Sequence, residues 1–488
     1  MDNDSKIIQT SIKKNYMYNT LYQVISLITP LITAPYISRV LGSRGVGIYS
    51  YTNSIVTYFI LFAALGTASY GQREIAMHRD NPIVSSRLFW EIEILSCATT
   101  LVSLVAWMVW IFIATQYTAF YGVLTISILA VAFDISWYFG GFEKFKYIVI
   151  RNTLVKIVGI ILLFLFVKQD TDILLYVSIM TTTGLVGNIS MWTYLPKLLH
   201  KVAFRTLHPF KIHLKQTFAY FIPTVATSVY TVLDKTMIGA ITNSEEFNGY
   251  YEQATKIIRM VESLLFSLNT VMVSRQSYLF AEGKIDEIKD KINKSFEFLF
   301  AIAIPFMFGI WGTAENFVPW FFGQGYEPVV MLLYLMSPLP LVICISNIMG
   351  SQYLTPSGQR ARSSKGIIAG AGTNFILNLV LIYRFNVSGA TIASIVAECV
   401  ISIIYVHMSK KFVSWRQIWN IAWKKLLAGF VMFWAVWILE RGHQGSIEIS
   451  MVQVGIGAIV YAIMLIVLRD EFILEALAMM KRKVQKNG

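Results

Sequence analysis

Charged residues are scarce in this chain of 488 residues: they make up 14% of the sequence, against about 25% in an average soluble domain. Hydrophobic residues account for 56%. A water-soluble fold of this length does not carry so many apolar side chains. The composition therefore excludes a string of soluble domains and predicts one membrane-embedded bundle.

Cysteine and metal-ligand patterns are equally sparse. The three cysteines lie inside apolar runs, which excludes a disulfide framework and a Cys-rich metal site. No Walker A sequence is present, so we expect no nucleotide hydrolysis, and we expect no cofactor. The histidines have no metal-ligand spacing and are expected to be solvated residues of loops and span ends: His78, His200, His208, His213, His407 and His443.

Long apolar runs are what the sequence has in abundance. A membrane-spanning helix needs about 20 predominantly apolar residues. Fourteen segments of that kind lie at about 17–38, 46–68, 88–113, 117–139, 148–167, 172–195, 216–240, 250–273, 293–312, 326–350, 365–384, 388–408, 421–439 and 449–468. Pro30, Pro35 and Pro223 should bend the first and seventh of them, because proline interrupts the backbone hydrogen bonds. The predicted fold is all-α, a polytopic membrane protein with about 14 transmembrane helices.

The net charge of +13 would indicate nucleic-acid binding in a soluble protein, but in a membrane protein Lys and Arg collect in cytoplasmic loops. With both termini inside, 32 of the 41 Lys and Arg fall in or beside inner segments, and five fall in outer loops. The first apolar run is too long for a cleaved leader, so it should remain as a span. We predict a multi-pass protein of the bacterial inner membrane with both termini cytoplasmic and no nucleic-acid partner.

A weak internal repeat has a period of about 200 residues. GIY at 47–49 is matched by GYY at 249–251, and IS at 135–136 recurs at 345–346. A polar amphipathic stretch follows the second span of each half. Repeats of six spans share one orientation, and two such halves are typical of alternating-access transporters, although a channel is also compatible.

The repeat divides the chain into three predicted parts. An N-terminal six-helix lobe covers 1–205, and a C-terminal six-helix lobe covers 206–412. The segment 413–488 adds two transmembrane helices and a basic cytoplasmic tail.

Charged residues inside spans need an explanation, since a charge near the bilayer centre costs about 2.5–3.5 kcal/mol. Lys256, Arg259 and Glu262 are spaced three apart, which places them on one face of the eighth span. We expect this face to line a hydrated, cationic cavity; the alternative is an interhelical ion-pair network. The candidate substrate-binding residues are Arg39, Lys156, Asp234, Lys235, Lys256, Arg259, Glu262, Asn19, Gln23 and Asn53.

Several of these candidates also have structural interpretations. Arg39 would equally suit the membrane interface, where long basic side chains reach the headgroups. Asn19, Gln23 and Asn53 are hydrogen-bonding groups of the kind that bind sugars, or they pair with neighbouring helices. Asp134 and Glu398 are candidates for coupling to an ion, with a structural hydrogen bond or ion pair as the alternative.

Two stretches carry a resemblance to a known family. NTLYQVISLITPLITAPYISRVLGSRGVGIYSYTNSIVTYFILFAALGTASYGQREIA resembles the start of bacterial oligosaccharide flippases. LDKTMIGAITNSEEFNGYYEQATKI resembles the seventh-to-eighth span signature of the same proteins, the polysaccharide-transporter branch of the multidrug/oligosaccharidyl-lipid/polysaccharide exporter superfamily. The resemblance covers nearly the whole chain.

The resemblance implies two pseudo-symmetric six-helix lobes in a V shape plus two extra helices. It implies translocation of an undecaprenyl-pyrophosphate-linked repeat unit to the outer leaflet, with no bond made or broken, and hence no enzyme activity. The implied partners are this lipid-linked oligosaccharide and membrane lipids, with a polysaccharide polymerase and chain-length proteins as further candidates. The family's cavity is typically cationic, which agrees with the residues chosen above.

Three other functions stay open at this point. The first is a cation-coupled multidrug exporter of the same superfamily, against which the intramembrane Lys and Arg argue. The second is a membrane-bound polysaccharide polymerase or ligase, which would usually carry a large outer loop. The third is a flippase for a lipid-linked peptidoglycan precursor.

Overall fold

The structure is a computed structural model that describes residues 12–203, 205, 207–208, 210–266, 269–410, 412–440, 445–475 and 478. The α-helices of the first half are α1 (Ile12–Ala64), α2 (Thr67–His78), α3 (Pro82–Ile113), α4 (Thr118–Leu129), α5 (Ser136–Gly141), α6 (Phe145–Phe166), α7 (Ile173–Met191) and α8 (Phe210–Thr242). Those of the second half are α9 (Glu245–Phe266), α10 (Asn269–Ala281), α11 (Ile285–Phe322), α12 (Pro328–Met336), α13 (Leu339–Asn347), α14 (Arg360–Met408), α15 (Trp415–Glu440) and α16 (Ile447–Val467).

Ten helical stretches within these residues are long and apolar enough to cross a membrane. Two of them contain a break, at Gly42 in α1 and at Asn386 in α14. The 53 residues of α1 would measure about 80 Å as one straight helix, whereas the bilayer core is about 30 Å thick. Each broken helix is therefore long enough for two crossings. With α8 and α9, this architecture is compatible with fourteen spans, and the predicted all-α polytopic fold is confirmed.

The break in α1 falls at a glycine. The backbone stays helical through Pro30 and Pro35, and the residue with non-helical dihedral angles is Gly42, with φ 65° and ψ 177°. Glycine adopts a positive φ at little cost because it has no Cβ. Gly42 therefore interrupts the helix, and a bend at Pro30 and Pro35 stays a prediction.

Two predicted spans are interrupted rather than continuous. The fourth, 117–139, consists of α4, a 3₁₀ turn (Ala130–Phe133), an extended residue at Asp134, and α5. The tenth, 326–350, consists of α12, α13 and a π-helical segment at Ile348–Leu354. Both interruptions lie at or beside the second pair of repeated sequences. π-Helical turns and 3₁₀ turns inside longer helices are frequent where function needs an irregular backbone.

Contacts divide the chain into two compact units, Met1–Thr236 and Met237–Gly488. Most of α8 therefore belongs to the first unit, whereas the sequence assigned 206–412 to the second lobe. The three-part division at 205 and 412 stays a prediction about the lobes.

Two apolar cores lie among the described residues of the first unit. One lies among α1, α3, α4 and α7, where Val56, Ala63, Trp107, Leu124 and Val177 are buried. The other is aromatic and lies among α2, α3 and α5. There Phe89 stacks on Trp137 with ring centroids 5.7 Å apart, and Ile75 is fully buried.

The second unit is built around α11. Its buried side chains include Phe296, Phe300 and Ile304, which form one core with residues of α13, α15 and α16. α15 approaches α11 closely at Gly429, where an added Cβ would lie 2.4 Å from the Phe308 ring. The two C-terminal helices are thus packed onto the second unit rather than detached from it.

Candidate functional site

Lys156 and the polar face of α1 come together in the first unit. Nζ of Lys156, on α6, donates a hydrogen bond to Oγ of Ser26 at 2.5 Å. Gln23 lies one turn before Ser26 and is exposed. Asn19 lies one turn further back in α1, and its side chain is outside the part that the structure describes. The structure thus joins a predicted cation to a predicted hydrogen-bonding face.

Asp134 lies at the interruption between α4 and α5. Its Oδ1 accepts a hydrogen bond from the Ser136 backbone N–H at 3.0 Å and lies 3.8 Å from Nη2 of Arg151. Nη1 of Arg151 donates to Oδ1 of Asn188 at 2.5 Å, and Nδ2 of Asn188 donates to the Ala130 carbonyl at 2.7 Å. These contacts are of the structural kind that was the alternative for Asp134. A role in ion coupling stays a prediction.

The charged pair of α8 lies next to α1. Asp234 is 5% exposed, and Lys235 is half-buried. The following residue, Thr236, has its Oγ1 2.9 Å from Oγ of Ser54. Asn53, which precedes Ser54, is half-buried. The structure therefore brings Asp234 and Lys235 to the part of α1 that contains Asn53.

The predicted charged face of α9 is present and has one more member. Nζ of Lys256 lies 3.7 Å from Oε1 of Glu252, one turn back along the helix. The sequence analysis did not include Glu252, although a spacing of four residues on one helix is a recognisable ion-pair signal. Arg259, on the same face, is exposed. The opposite face of α9 packs into the unit through buried residues such as Ala254 and Ile258.

Glu262 and Glu398 come close together in the second unit. The charges of Arg259 and Glu398 both act on Glu262. Glu398 is 8% exposed, and its Oε2 accepts a hydrogen bond from Oγ of Ser346 at 3.2 Å. The structure thus groups a predicted cavity carboxylate with a predicted coupling carboxylate.

The predicted cations differ in how far the protein covers them. Arg39 is exposed on α1, three residues before the break at Gly42, and Arg259 is exposed on α9. Lys156, Lys235 and Lys256 are half-buried. Guanidinium and ammonium groups in such positions offer charge-assisted hydrogen bonds to anionic oxygen atoms.

A buried network that the sequence analysis missed links α2, α3 and α8. Nε2 of His213 lies 2.8 Å from Oε2 of Glu91, and Nδ1 of His213 lies 2.8 Å from the Tyr70 hydroxyl. All three residues are at most 5% exposed. The expectation that His213 is a solvated loop residue is wrong, because α8 begins at Phe210, before the apolar run, and carries His213 into the core. His443 lies outside the described residues.

Within the described ranges, no group of three or more His, Cys, Asp or Glu residues is arranged to hold a metal ion.

Helices long enough to cross a membrane, within the described residues, define a polytopic membrane protein. Solved structures share this fold. The lipid II flippase MurJ in an inward closed conformation is 16% identical with a TM-score of 0.72, and covers 94% of this chain and 99% of its own. An inward-facing multidrug resistance MATE transporter of the MOP superfamily is 11% identical with a TM-score of 0.60. The match covers 85% of this chain and 95% of that transporter.

Sequence comparison then identifies the family. Residues 12–274 match the family model described as polysaccharide biosynthesis protein, and the chain belongs to that family. It is 25% identical over 400 residues to a protein of Escherichia coli K12 that bears the name of an O-antigen transporter, covering 80% of this chain and 95% of that one. The resemblance to polysaccharide flippases drawn from the sequence is confirmed.

Proposed function

We propose that this chain is a flippase that moves an undecaprenyl-pyrophosphate-linked oligosaccharide repeat unit across the bacterial inner membrane by alternating access. The product would serve surface polysaccharide of the capsule, exopolysaccharide or O-antigen type. The observation that carries the proposal is the set of accessible cations on membrane helices, Arg259 above all. Family membership and the name of the Escherichia coli relative support the same substrate class.

The pyrophosphate is the negatively charged part of this substrate, so its binding needs positively charged side chains. It carries about two negative charges, which Arg and Lys offset best where water is partly excluded. Arg259 is exposed and would bind it with two parallel N–H donors, while Lys256 would exchange Glu252 for a phosphate oxygen. Lys156 and Lys235 are further cations that could each bind a phosphate oxygen.

The sugar and the lipid need different surroundings. The hydroxyl groups of the sugar would hydrogen-bond to the polar face of α1, including Gln23, Asn53 and Asn19. The polyprenyl chain would stay in the lipid while the headgroup crosses.

Movement of one six-helix lobe against the other would carry the headgroup across, with both termini of the chain in the cytoplasm. Asp134 and Glu398 would serve ion coupling, and a polymerase and chain-length proteins would use the product.

A multidrug exporter is the second candidate. The proximity of Glu262 and Glu398 favours it, because paired carboxylates suit an organic cation. Arg259 argues against it, because its charge acts on the same carboxylate.

The test is translocation in proteoliposomes of the purified full-length chain loaded with an undecaprenyl-pyrophosphate oligosaccharide. The measurement is the fraction of sugar that an added, membrane-impermeant glycosidase cleaves over time. We expect cleavage to approach completion with protein and to stop near half without it. Organic cations are tested in parallel vesicles. Protein-dependent cation movement without sugar movement would replace the flippase with the exporter.

A further inference from the structure

Glu93 is an acidic residue buried inside a membrane helix. It lies on α3, within the predicted span 88–113, and is 3% exposed. Among the described residues neither of its carboxylate oxygens has a hydrogen-bond partner. An ionised carboxylate in such a place loses its water and gains nothing in return, a cost far above that of the neutral acid. The neutral, protonated form is the one that these surroundings tolerate.

The charged surroundings of Glu93 favour the same form. Asp134, at the interruption between α4 and α5, is the carboxylate whose charge acts on Glu93. A second negative charge nearby makes ionisation of Glu93 harder still. Arg151 lies on the far side of this pair, 3.8 Å from Asp134. The charge of Glu93 also acts on Cys97, one turn further along α3.

The helices packed against α3 add few other charges. The second crossing of α1, residues 45–64, and the segment 118–133 contain no charged residue. On α2, Arg73 and Glu74 lie 3.7 Å from each other. Nδ1 of His78 lies 2.9 Å from the backbone carbonyl oxygen of Glu74, at hydrogen-bond distance. Within the part of the chain that the structure describes, Asp134 is the charged group whose charge acts on Glu93.

A line of buried hydroxyl groups continues from Glu93 along α3. Ser96, Thr100 and Ser103 are each at most 4% exposed. At about 100° per residue they lie with Glu93 inside an arc of about 80°, and they extend about 15 Å along the helix. Oγ of Ser103 donates to the Phe59 carbonyl at 2.7 Å, whereas Oγ1 of Thr100 has no partner among the described residues. Together with Glu93, these hydroxyl groups make one side of α3 polar and buried.

We propose that Glu93 is a proton-binding residue, neutral in this structure, that exchanges its proton with water when the surrounding helices rearrange. On uptake, an O–H bond of hydronium breaks as the O–H bond of the carboxylic acid forms, leaving water. On release, the O–H bond of the acid breaks and a water molecule takes the proton, leaving the carboxylate. Asp134, whose side chain is 42% exposed, provides the route to water. A hard metal cation is the poorer fit, because it takes about six oxygen ligands and Glu93 supplies two. That the proton is coupled to transport rests on the proposed function; proton binding itself does not.

The first test is infrared spectroscopy of the purified full-length protein in lipid at neutral pH. A protonated carboxyl group in dry surroundings gives a C=O stretching band that shifts in D2O. We expect this band in the wild-type protein and its loss in Glu93→Gln. Glu471→Gln, which changes an exposed carboxylate, should leave the band in place. Identical spectra for wild type and Glu93→Gln would show that Glu93 is ionised and overturn the proposal.

Glu93→Met serves as a second variant, because it carries neither a proton nor an unpaired polar atom and should fold at least as well. In proteoliposomes, an imposed pH gradient should change the wild-type translocation rate, and a protonophore should remove that change. Both variants should lose the response. A variant that still responds like wild type would overturn coupling through Glu93. If wild-type vesicles move no oligosaccharide at all, the flippase proposal fails, while the infrared result still decides proton binding.

Discussion

Nζ of Lys156 donates a hydrogen bond to Oγ of Ser26 at 2.5 Å, and this contact ties α6 to the polar face of α1. Two variants distinguish a structural role of Lys156 from a role in substrate binding. A structural role depends on the hydroxyl acceptor of Ser26, whereas substrate binding depends on the positive charge of the lysine. We expect Lys156→Met to lower oligosaccharide translocation about tenfold or more, the loss of one charge-assisted hydrogen bond. Ser26→Ala should change it less than about threefold. Equal losses in both variants, measured in proteoliposomes, would make the lysine structural.

Arg259 is exposed on α9 and should contact the pyrophosphate directly. Arg259→Ala should abolish surface polysaccharide in cells, and Lys235→Ala should do the same, because each removes a positive charge from the substrate path. Arg259→Lys should restore part of the activity, since it keeps the charge but not the two parallel donors. Membrane fractionation checks insertion, and Arg384→Ala, an exposed arginine outside the predicted site, is the matched control. Wild-type polysaccharide in the first two variants would remove the cationic-site mechanism.

Glu252 competes with the substrate for Lys256. The two side chains lie 3.7 Å apart on one helix and are partly exposed, so their pairing is worth about 0.3–0.5 kcal/mol. Glu252→Gln should therefore tighten binding of the pyrophosphate headgroup by about twofold, as measured by titration calorimetry with a short-chain analogue. Weaker binding in this variant would show that Glu252 orients Lys256 rather than competing for it.

His213 holds the start of α8 against α2 and α3. His213→Ala removes its contacts with Glu91 and Tyr70, and we expect the free energy of unfolding to fall by about 2–4 kcal/mol. Thermal unfolding in detergent measures the change. His208→Ala is the control: its ring also lies 3.1 Å from Glu91 but is half-exposed, so the loss should stay below about 1 kcal/mol. A similar loss in both variants would mean that burial of His213 adds nothing.

Lys425 and Asp470 form a buried ion pair that joins α15 to the segment after α16. Nζ lies 2.7 Å from Oδ2, and the side chains are 2% and 4% exposed. Lys425→Met should cost about 3–5 kcal/mol, because it leaves a buried carboxylate without its cation. The double variant Lys425→Met/Asp470→Asn should recover part of that loss. Equal unfolding temperatures for single and double variants would contradict this account.

Features that depend on composition and local sequence pattern, such as the membrane spans and the charged face of α9, could be predicted from the sequence. The apolar runs exceed the length of a bilayer crossing, so the existence of the spans follows from hydropathy alone. The face formed by Lys256, Arg259 and Glu262 follows from helical periodicity, and the structure keeps these residues together on α9. Interruptions within spans were harder to predict. Asp134 sits in an apolar run whose period looks helical, and only its contacts with Ser136 and Arg151 mark the break.

Contacts between distant residues account for the other differences. Glu93 and Glu91 are two residues apart on α3. Nothing local in the sequence predicts that Glu91 is fully paired while Glu93 has no hydrogen-bond partner among the described residues. Glu91 meets His213, 122 residues further along the chain. The same helix turns Glu93 toward a side with no hydrogen-bond partner among the described residues.

The sequence by itself determined that this chain is a bundle of membrane helices, because apolar length and the scarcity of charge leave no other place for it. It also marked charged residues such as Lys156 and Lys256 as too costly to lie in lipid, although it did not single out Glu93. Only the tertiary structure decided which neighbour each charged group meets. Lys156 contacts the Ser26 hydroxyl, Lys256 contacts the Glu252 carboxylate, and Glu93 has no hydrogen-bond partner among the residues that the structure describes. The physical reason is that a charge inside the membrane is stabilised by whatever neighbour the packing brings within about 4 Å, and that neighbour is often more than a hundred residues away.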